Sequence, residues 1–144
     1  MEKTPEFTAR ATFWKAETEY LNDDMQNALL TYKQFAGMVA AKSTDEYKNI
    51  NYNIGYTYFK LKEYEQAATY FQNHIDAVKE DKVRLNDSYL RMGDSYFVSA
   101  KYWPAMEAYN KAIALKADYY IALNNRGTAK LNMNDFAGAV SDFD

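Results

Sequence analysis

Small residues and rings recur along this chain at fixed distances, with polar and helix-favouring residues between them. Three short segments set the pattern: Asn53-Ile54-Gly55-Tyr56, Arg91-Met92-Gly93-Asp94 and Asn125-Arg126-Gly127-Thr128. Twelve residues after each glycine stands an alanine, Ala67, Ala105 and Ala139. Three residues before that alanine is a ring (Tyr64, Tyr102, Phe136), and four after it is another (Phe71, Tyr109, Phe143). A weaker earlier copy has Ala16, Met25, Ala28 and Tyr32 in the same places. The copies predict repeated pairs of helices. Gly or Ala at two matched points lets two helices approach closely, and the rings fill the space around that contact.

Composition narrows the class. Gly 5 and Pro 2 are too few for the turns of a loop-rich or β-sandwich fold. Tyr 14 and Phe 8 imply a core built from ring packing. The net charge of -3 argues against a nucleic-acid partner, which needs a basic face to displace counterions. With no cysteine there are no disulfides and no thiolate chemistry, and the single His74 excludes a multi-histidine metal site. No apolar run reaches the ~18 residues that would suggest a membrane-spanning helix. Met1 to Arg10 lacks the apolar centre of a signal peptide; a signal further upstream is left open.

The matched positions resemble the tetratricopeptide repeat family, whose unit is about 34 residues folded as helix-turn-helix. Placing Gly55, Gly93 and Gly127 at position 8 sets the repeats near 9–47, 48–85, 86–119 and 120–144, one domain over 1–144. Tyr89, Met92, Gly93, Tyr96, Tyr102, Ala105, Tyr109 and Ala112 fill eight successive signature positions. The resemblance implies an all-α, right-handed superhelical solenoid of antiparallel helix pairs. The first helix of each pair (helix A) would run over positions 1–14, and the second (helix B) from 16. Asp24 and Asp135 are expected as N-caps. Pro104 falls in the first turn of its helix B, where a missing N–H costs little.

Departures from the pattern carry expectations of their own. The first two repeats hold four or five extra residues, about one helical turn or a longer loop. The same two repeats carry Phe35 and His74 at position 27, where a small residue is usual. These features read together as one adaptation, in which the next helix is displaced past a large side chain and the extra residues, as a helical turn or a longer loop, bridge the gap; helices B of ordinary length in both repeats would contradict it. The fourth frame stops at its position 25, Asp144, without a polar-faced terminal cap. This suggests a fragment of a larger bacterial repeat protein, with self-association through an uncapped C-terminal end. Zero cysteine suits cytosol and periplasm alike, and the repeat style leans toward the bacterial cell envelope.

Candidate chemistry is sparse. His74 reads as a packed helix-B side chain, since no partners at useful spacing suggest a general base. The pairs Asp23-Asp24, Glu63 with Glu65, and Glu80-Asp81 read as caps and solvated helix ends rather than facing catalytic carboxylates. No phosphate-binding glycine run is present, and Asn132-Met133-Asn134-Asp135 lacks the calcium loop's central Gly and terminal Glu. No enzymatic activity and no cofactor is expected.

The resemblance further implies that helices A line a concave groove through positions 2, 5, 6, 9, 12 and 13. The partner-binding candidates are Asn49, Tyr52, Asn53, Tyr56 and Lys60 in the second repeat. The third supplies Asp87, Arg91 and Asp94, and the fourth Asn124, Asn125 and Thr128. Phe13, Trp14, Glu17, Phe59 and Leu90 occupy further groove positions. Rings and amides suit protein recognition. Arg91, one turn from Asp87 and from Asp94, is expected to form internal ion pairs. Some family members hold a chaperone tail's carboxylate with a Lys and Asn array. Tyr52 and Tyr56, or Leu90 and Asp94, stand where that array would begin, so this clamp is not expected. The expected function is a protein- or peptide-binding scaffold. The alternatives are a structural spacer in a larger repeat protein, or an envelope-associated carbohydrate-binding surface.

Overall fold

The computed structural model describes residues 4–144. Among these the chain is all-α, with α1 Pro5–Leu21, α2 Met25–Gly37, α3 Ile50–Lys60, α4 Tyr64–Ala77, α5 Lys82–Val98, α6 Tyr102–Leu115, α7 Tyr120–Asn132 and α8 Phe136–Phe143. Two short 3-10 turns, Val39–Ser43 and Asp45–Asn49, join α2 to α3. Two compact units, residues 1–70 and 71–144, divide the chain inside α4. Odd-numbered helices are the helices A of the pattern and even-numbered ones the helices B.

Local chemistry sets the helix starts. The Thr4 hydroxyl accepts the Phe7 N–H at 3.1 Å, and Pro5 occupies the first position of α1, where its missing donor is harmless. Asp81 caps α5 by accepting the Arg84 N–H at 3.1 Å, and Asp135 caps α8 by accepting the Gly138 N–H at 3.0 Å. Asp24 departs from expectation. Its carboxylate accepts the Asn27 side-chain amide at 2.8 Å and makes no cap bond to the backbone of α2.

Every helix A ends in the same turn, although its sequence hides it. Asp23, Lys62, Ala100 and Asn134 all have φ between 59° and 63°, and all stand seven residues after the small residue of their repeat. The following N–H groups of Asp24, Glu63, Lys101 and Asp135 reach back five residues, to the carbonyls of Glu19, Tyr58, Tyr96 and Lys130, at 2.8–3.0 Å. This is the six-to-one closure that satisfies a helix's last carbonyls, and it favours glycine in the left-handed position. Asp23 and Asn134 tolerate that conformation; Ala100 does so only under strain. Ala100→Gly is therefore expected to raise unfolding stability by about 1 kcal/mol, the relief of a left-handed alanine less the entropy of a glycine. Urea denaturation of the two proteins checks it.

In the second unit the core joins Leu90 of α5, Ala105, Tyr109 and Ala112 of α6, and Ala122 of α7. The close approach at the repeated glycines is direct. A Cβ built on Gly93 would lie 2.4 Å from the Tyr109 ring, and one on Gly127 would lie 2.6 Å from the Phe143 ring. The ring of helix B thus lies on the glycine of its own helix A. In the first unit Phe13 of α1 packs on Phe35 of α2, with centroids 5.3 Å apart, around the fully buried Ala9, Ala16 and Ala28.

The expected adaptation is contradicted, because neither helix B is lengthened. The helices B of the first two repeats, α2 and α4, have 13 and 14 residues, no more than the 14 of α6. The extra residues of the first repeat form the 3-10 turns, which bring Tyr47 to 6.3 Å from the oversized Phe35 ring. Those of the second repeat extend the following helix instead. α5 begins at Lys82, four residues before its frame at 86, and runs for 17 residues.

Candidate functional site

The sequence places the candidate surface on the helices A, and the structure shows what each side chain there already touches. In the first unit, Tyr52 and Tyr56 lie one turn apart on α3. Their half-buried rings meet edge to face, with centroids 5.0 Å apart and planes at 67°. The polar edge of one ring against the face of the other favours this arrangement. Lys60 is exposed in the last turn of α3, where a cation complements the helix dipole. Asn49 is half-buried at the end of the second 3-10 turn, and its Oδ1 has no hydrogen-bond partner among the described residues. Asn53 is engaged: its amide donates to Glu17 Oε1 at 3.1 Å, and that same oxygen accepts the Tyr32 hydroxyl at 2.5 Å.

The second unit repeats this constellation. Asp94 Oδ1 accepts the Tyr109 hydroxyl at 2.7 Å and the Asn125 amide at 2.9 Å. Glu17 and Asp94 hold one repeat position, Tyr32 and Tyr109 a second, and Asn53 and Asn125 a third, in the next repeat. A carboxylate on helix A, a phenol on its helix B and an amide on the following helix A are tied into one latch. Burial first, and then the adjacent carboxylate, pushes both phenols far above the usual tyrosine range. Each therefore stays protonated and remains a donor.

Asp94 also accepts from Arg91 through Oδ2 at 3.1 Å, while Asp87 lies 3.7 Å from the same guanidinium. The expected ion pairs of Arg91 are present. They leave Asp94 holding three donors, so its carboxylate serves the fold before any partner. Asn124 and Thr128 are exposed on α7, with the Thr128 hydroxyl donating to the Asn124 carbonyl at 3.0 Å. The groove positions of Phe13 and Leu90 are corrected: both side chains are buried in the core.

Sequence reasoning missed the latch because it treated each groove position separately; the signal was the acid–tyrosine–asparagine set recurring in the first and third repeats. It also missed a buried ionic cluster. Asp142 of α8 accepts from Arg126 at 2.9 and 2.5 Å and from Lys130 at 2.9 Å, while Arg126 also donates to Asn110 at 2.8 Å. Burial opposes the Asp142 charge, but the hydrogen bonds and charges of Arg126 and Lys130 outweigh it and hold its carboxyl below the usual range.

His74 is fully buried in α4. Burial lowers its pKa; Asp81 and Glu80 oppose that shift, and Arg84 adds to it. The imidazole is thus neutral in the fold, while the unfolded chain takes up a proton below about pH 6.5. A depressed histidine pKa makes its contribution complete above that pH and loses it as the pH falls. The urea midpoint is expected to fall between pH 7.5 and 5, and His74→Leu is expected to flatten that part of the profile.

Among the described residues no group of three or more His, Asp or Glu is placed to hold a metal ion, and no helix is long and apolar enough to cross a membrane. The helix pairs, their glycine–ring contacts and their shared turn define an array of repeated helix pairs. Residues 49–76 match the family model described as "Tetratricopeptide repeat". No curated protein matches the chain. Among solved structures, BtubC from P. vanneervenii is similar at 16% identity and a TM-score of 0.81 over 98% of this chain; the chain spans 62% of that protein's length. MamA from Desulfovibrio magneticus RS-1 is similar at 17% identity and a TM-score of 0.80, covering 94% of this chain and 71% of that one. The second tetratricopeptide domain of Spaghetti (RPAP3), solved with the HSP90 peptide SRMEEVD, shares 25% identity at a TM-score of 0.60, over 67% of this chain and 85% of that one. The chain thus has the fold of tetratricopeptide-repeat proteins, and that fold supports a protein-interaction scaffold in general.

Proposed function

We propose that this chain binds a protein segment or peptide on the exposed faces of its helices A, without bond-making chemistry. The observation that carries the reading is the Tyr52–Tyr56 pair on α3, half-exposed and flanked by Lys60. Rings give contact area at low entropic cost, and the lysine adds a charge at the edge. In the second unit Asn124 and Thr128 supply exposed polar groups on α7. Asn53, Arg91, Asp94 and Asn125 act as supports: their internal bonds fix the helices that present the others. A preformed surface loses less entropy on binding than one that must be ordered.

The test is selection of binders from a displayed random-peptide library. Peptides held by the parent are expected to lose at least tenfold in affinity to the Tyr52→Ala/Tyr56→Ala variant of equal helicity. The spacer reading has one observation in its favour, the engagement of so many groove polar groups within the fold. Recovery of no peptide, or of peptides indifferent to both tyrosines, would make it the better account.

A further inference from the structure

The two latches are built alike and finished differently. In the second unit the Asp94 carboxylate is fully used: Oδ1 accepts the Tyr109 hydroxyl and the Asn125 amide, and Oδ2 accepts the Arg91 guanidinium at 3.1 Å. Arg91 stands three residues before Asp94 on the same helix. In the first unit Oε1 of Glu17 takes the same phenol and amide, from Tyr32 at 2.5 Å and from Asn53 at 3.1 Å. Three residues before Glu17, in the place of Arg91, stands Trp14. Among the described residues no hydrogen bond or ion pair reaches Glu17 Oε2, and this oxygen of a half-buried residue stays open to solvent.

Neighbouring cations of the first unit are engaged elsewhere. Arg10, two turns earlier on α1, donates to Glu46 at 2.9 Å, and the Lys33 ammonium donates to the Tyr58 hydroxyl while lying 4.9 Å from the centroid of that ring. The surroundings of Glu17 are rings and amides. Tyr20 follows it by three residues on α1; burial first, and then the Glu17 charge, push this phenol above the usual tyrosine range, so it stays neutral beside the carboxylate. Asn53, which reaches Glu17, stands between Tyr52 and Tyr56 on α3, so the ring pair lies within one turn of the latch. Tyr32 and Asn53 belong to α2 and α3, so the carboxylate is turned toward those two helices.

We infer that the segment bound on this face carries an arginine or lysine side chain, whose cation pairs with Glu17 Oε2 as Arg91 pairs with Asp94 Oδ2. The pairing rests on the helix-A reading proposed above and gives its partner a basic character. A carboxylate already held by a phenol and an amide has little side-chain freedom left to lose on binding. A hydrogen bond between two ionised groups is stronger than a neutral one, and nearby ring faces add their own attraction for a cation.

The test uses peptides selected on the parent from the displayed random library. They are expected to share an Arg or Lys at one position. Replacing that residue by Gln in the synthetic peptide is expected to weaken binding about tenfold, the scale of a hydrogen bond to a charged group. Glu17→Gln keeps an acceptor for Tyr32 and Asn53 and is expected to cause the same loss; the two changes together are expected to cost no more than either alone. Glu65→Gln removes an equal charge from an exposed site on α4 and is expected to change nothing. For a Glu17→Gln protein that loses helicity, the side-chain carboxyl carbon of Glu17 in the unaltered protein reports instead: it is expected to shift with the selected peptide and not with its Gln version. Peptides that need Tyr52 and Tyr56 but share no basic residue, or that bind Glu17→Gln as well as the parent, overturn this inference and leave the helix-A reading standing. Peptides that need Glu17 and are indifferent to both tyrosines uphold the cation subsite and remove the ring pair from that reading. Selection of no peptide overturns both.

Discussion

Tyr109→Ala is expected to destabilise the second unit by about 3–5 kcal/mol, the range for removing a large buried ring. Tyr109 is 1% exposed, its ring covers Gly93, and its hydroxyl donates to Asp94. The substitution opens a cavity at the closest approach of α5 and α6, and it leaves the Asp94 carboxylate short of one donor. Tyr109→Phe keeps the ring and loses only the hydrogen bond to Asp94, so about 1.5–3 kcal/mol is expected, the range for a bond to a charged acceptor. Hydrogen exchange of the amides of α5 and α6, read beside urea unfolding, separates the two effects. Of an ordinary domain stability of about 5–15 kcal/mol, the alanine variant removes a large share.

The second large effect is expected at Asp142. Its side chain is 4% exposed and faces both Arg126 and Lys130, each 19% exposed. Asp142→Ala leaves two cations together with no anion between them. Breaking a buried pair in this way costs about 3 kcal/mol when, as here, the surviving partners keep some hydration. The loss is expected to fall first on α7 and α8. The pH dependence has a definite sign. The Asp142 carboxyl is held below its ordinary value in the fold, so its contribution is present above about pH 4 and is lost as the pH falls further. Amide exchange in α7 and α8, measured at neutral and acid pH, is expected to show that acid sensitivity in the parent and not in Asp142→Ala.

The repeat frame was legible because it rests on single-residue demands. Only a glycine fits beneath Tyr109 at Gly93, and fully buried Ala105 and Ala139 mark the second small position. The turn at Asp23, Lys62, Ala100 and Asn134 was not legible, because no glycine marks any of these left-handed positions. The fate of the extra residues was also hidden. The same surplus becomes 3-10 turns under Phe35 in one repeat and a longer α5 in the next, and only the packing of Tyr47 and the cap at Asp81 distinguish them. Of the candidate surface, the sequence placed Tyr52, Tyr56 and Lys60 on one helix and anticipated the ion pairs of Arg91. It treated Asp94, Asn53 and Asn125 as partner-facing, because a position that faces a groove in a repeat register is assumed to be solvated. A carboxylate there is equally able to gather a phenol and an amide from its neighbours.

The most direct test of binding through the helices A is chemical-shift mapping on the isotopically labelled protein, titrated with a peptide taken from the library selection. The account predicts that the perturbed amides cluster on α3 and on its neighbour α1, with Tyr52 and Tyr56 among the largest shifts. Perturbations confined to α2, α4, α6 or the connecting turns, with those tyrosines unmoved, would contradict it.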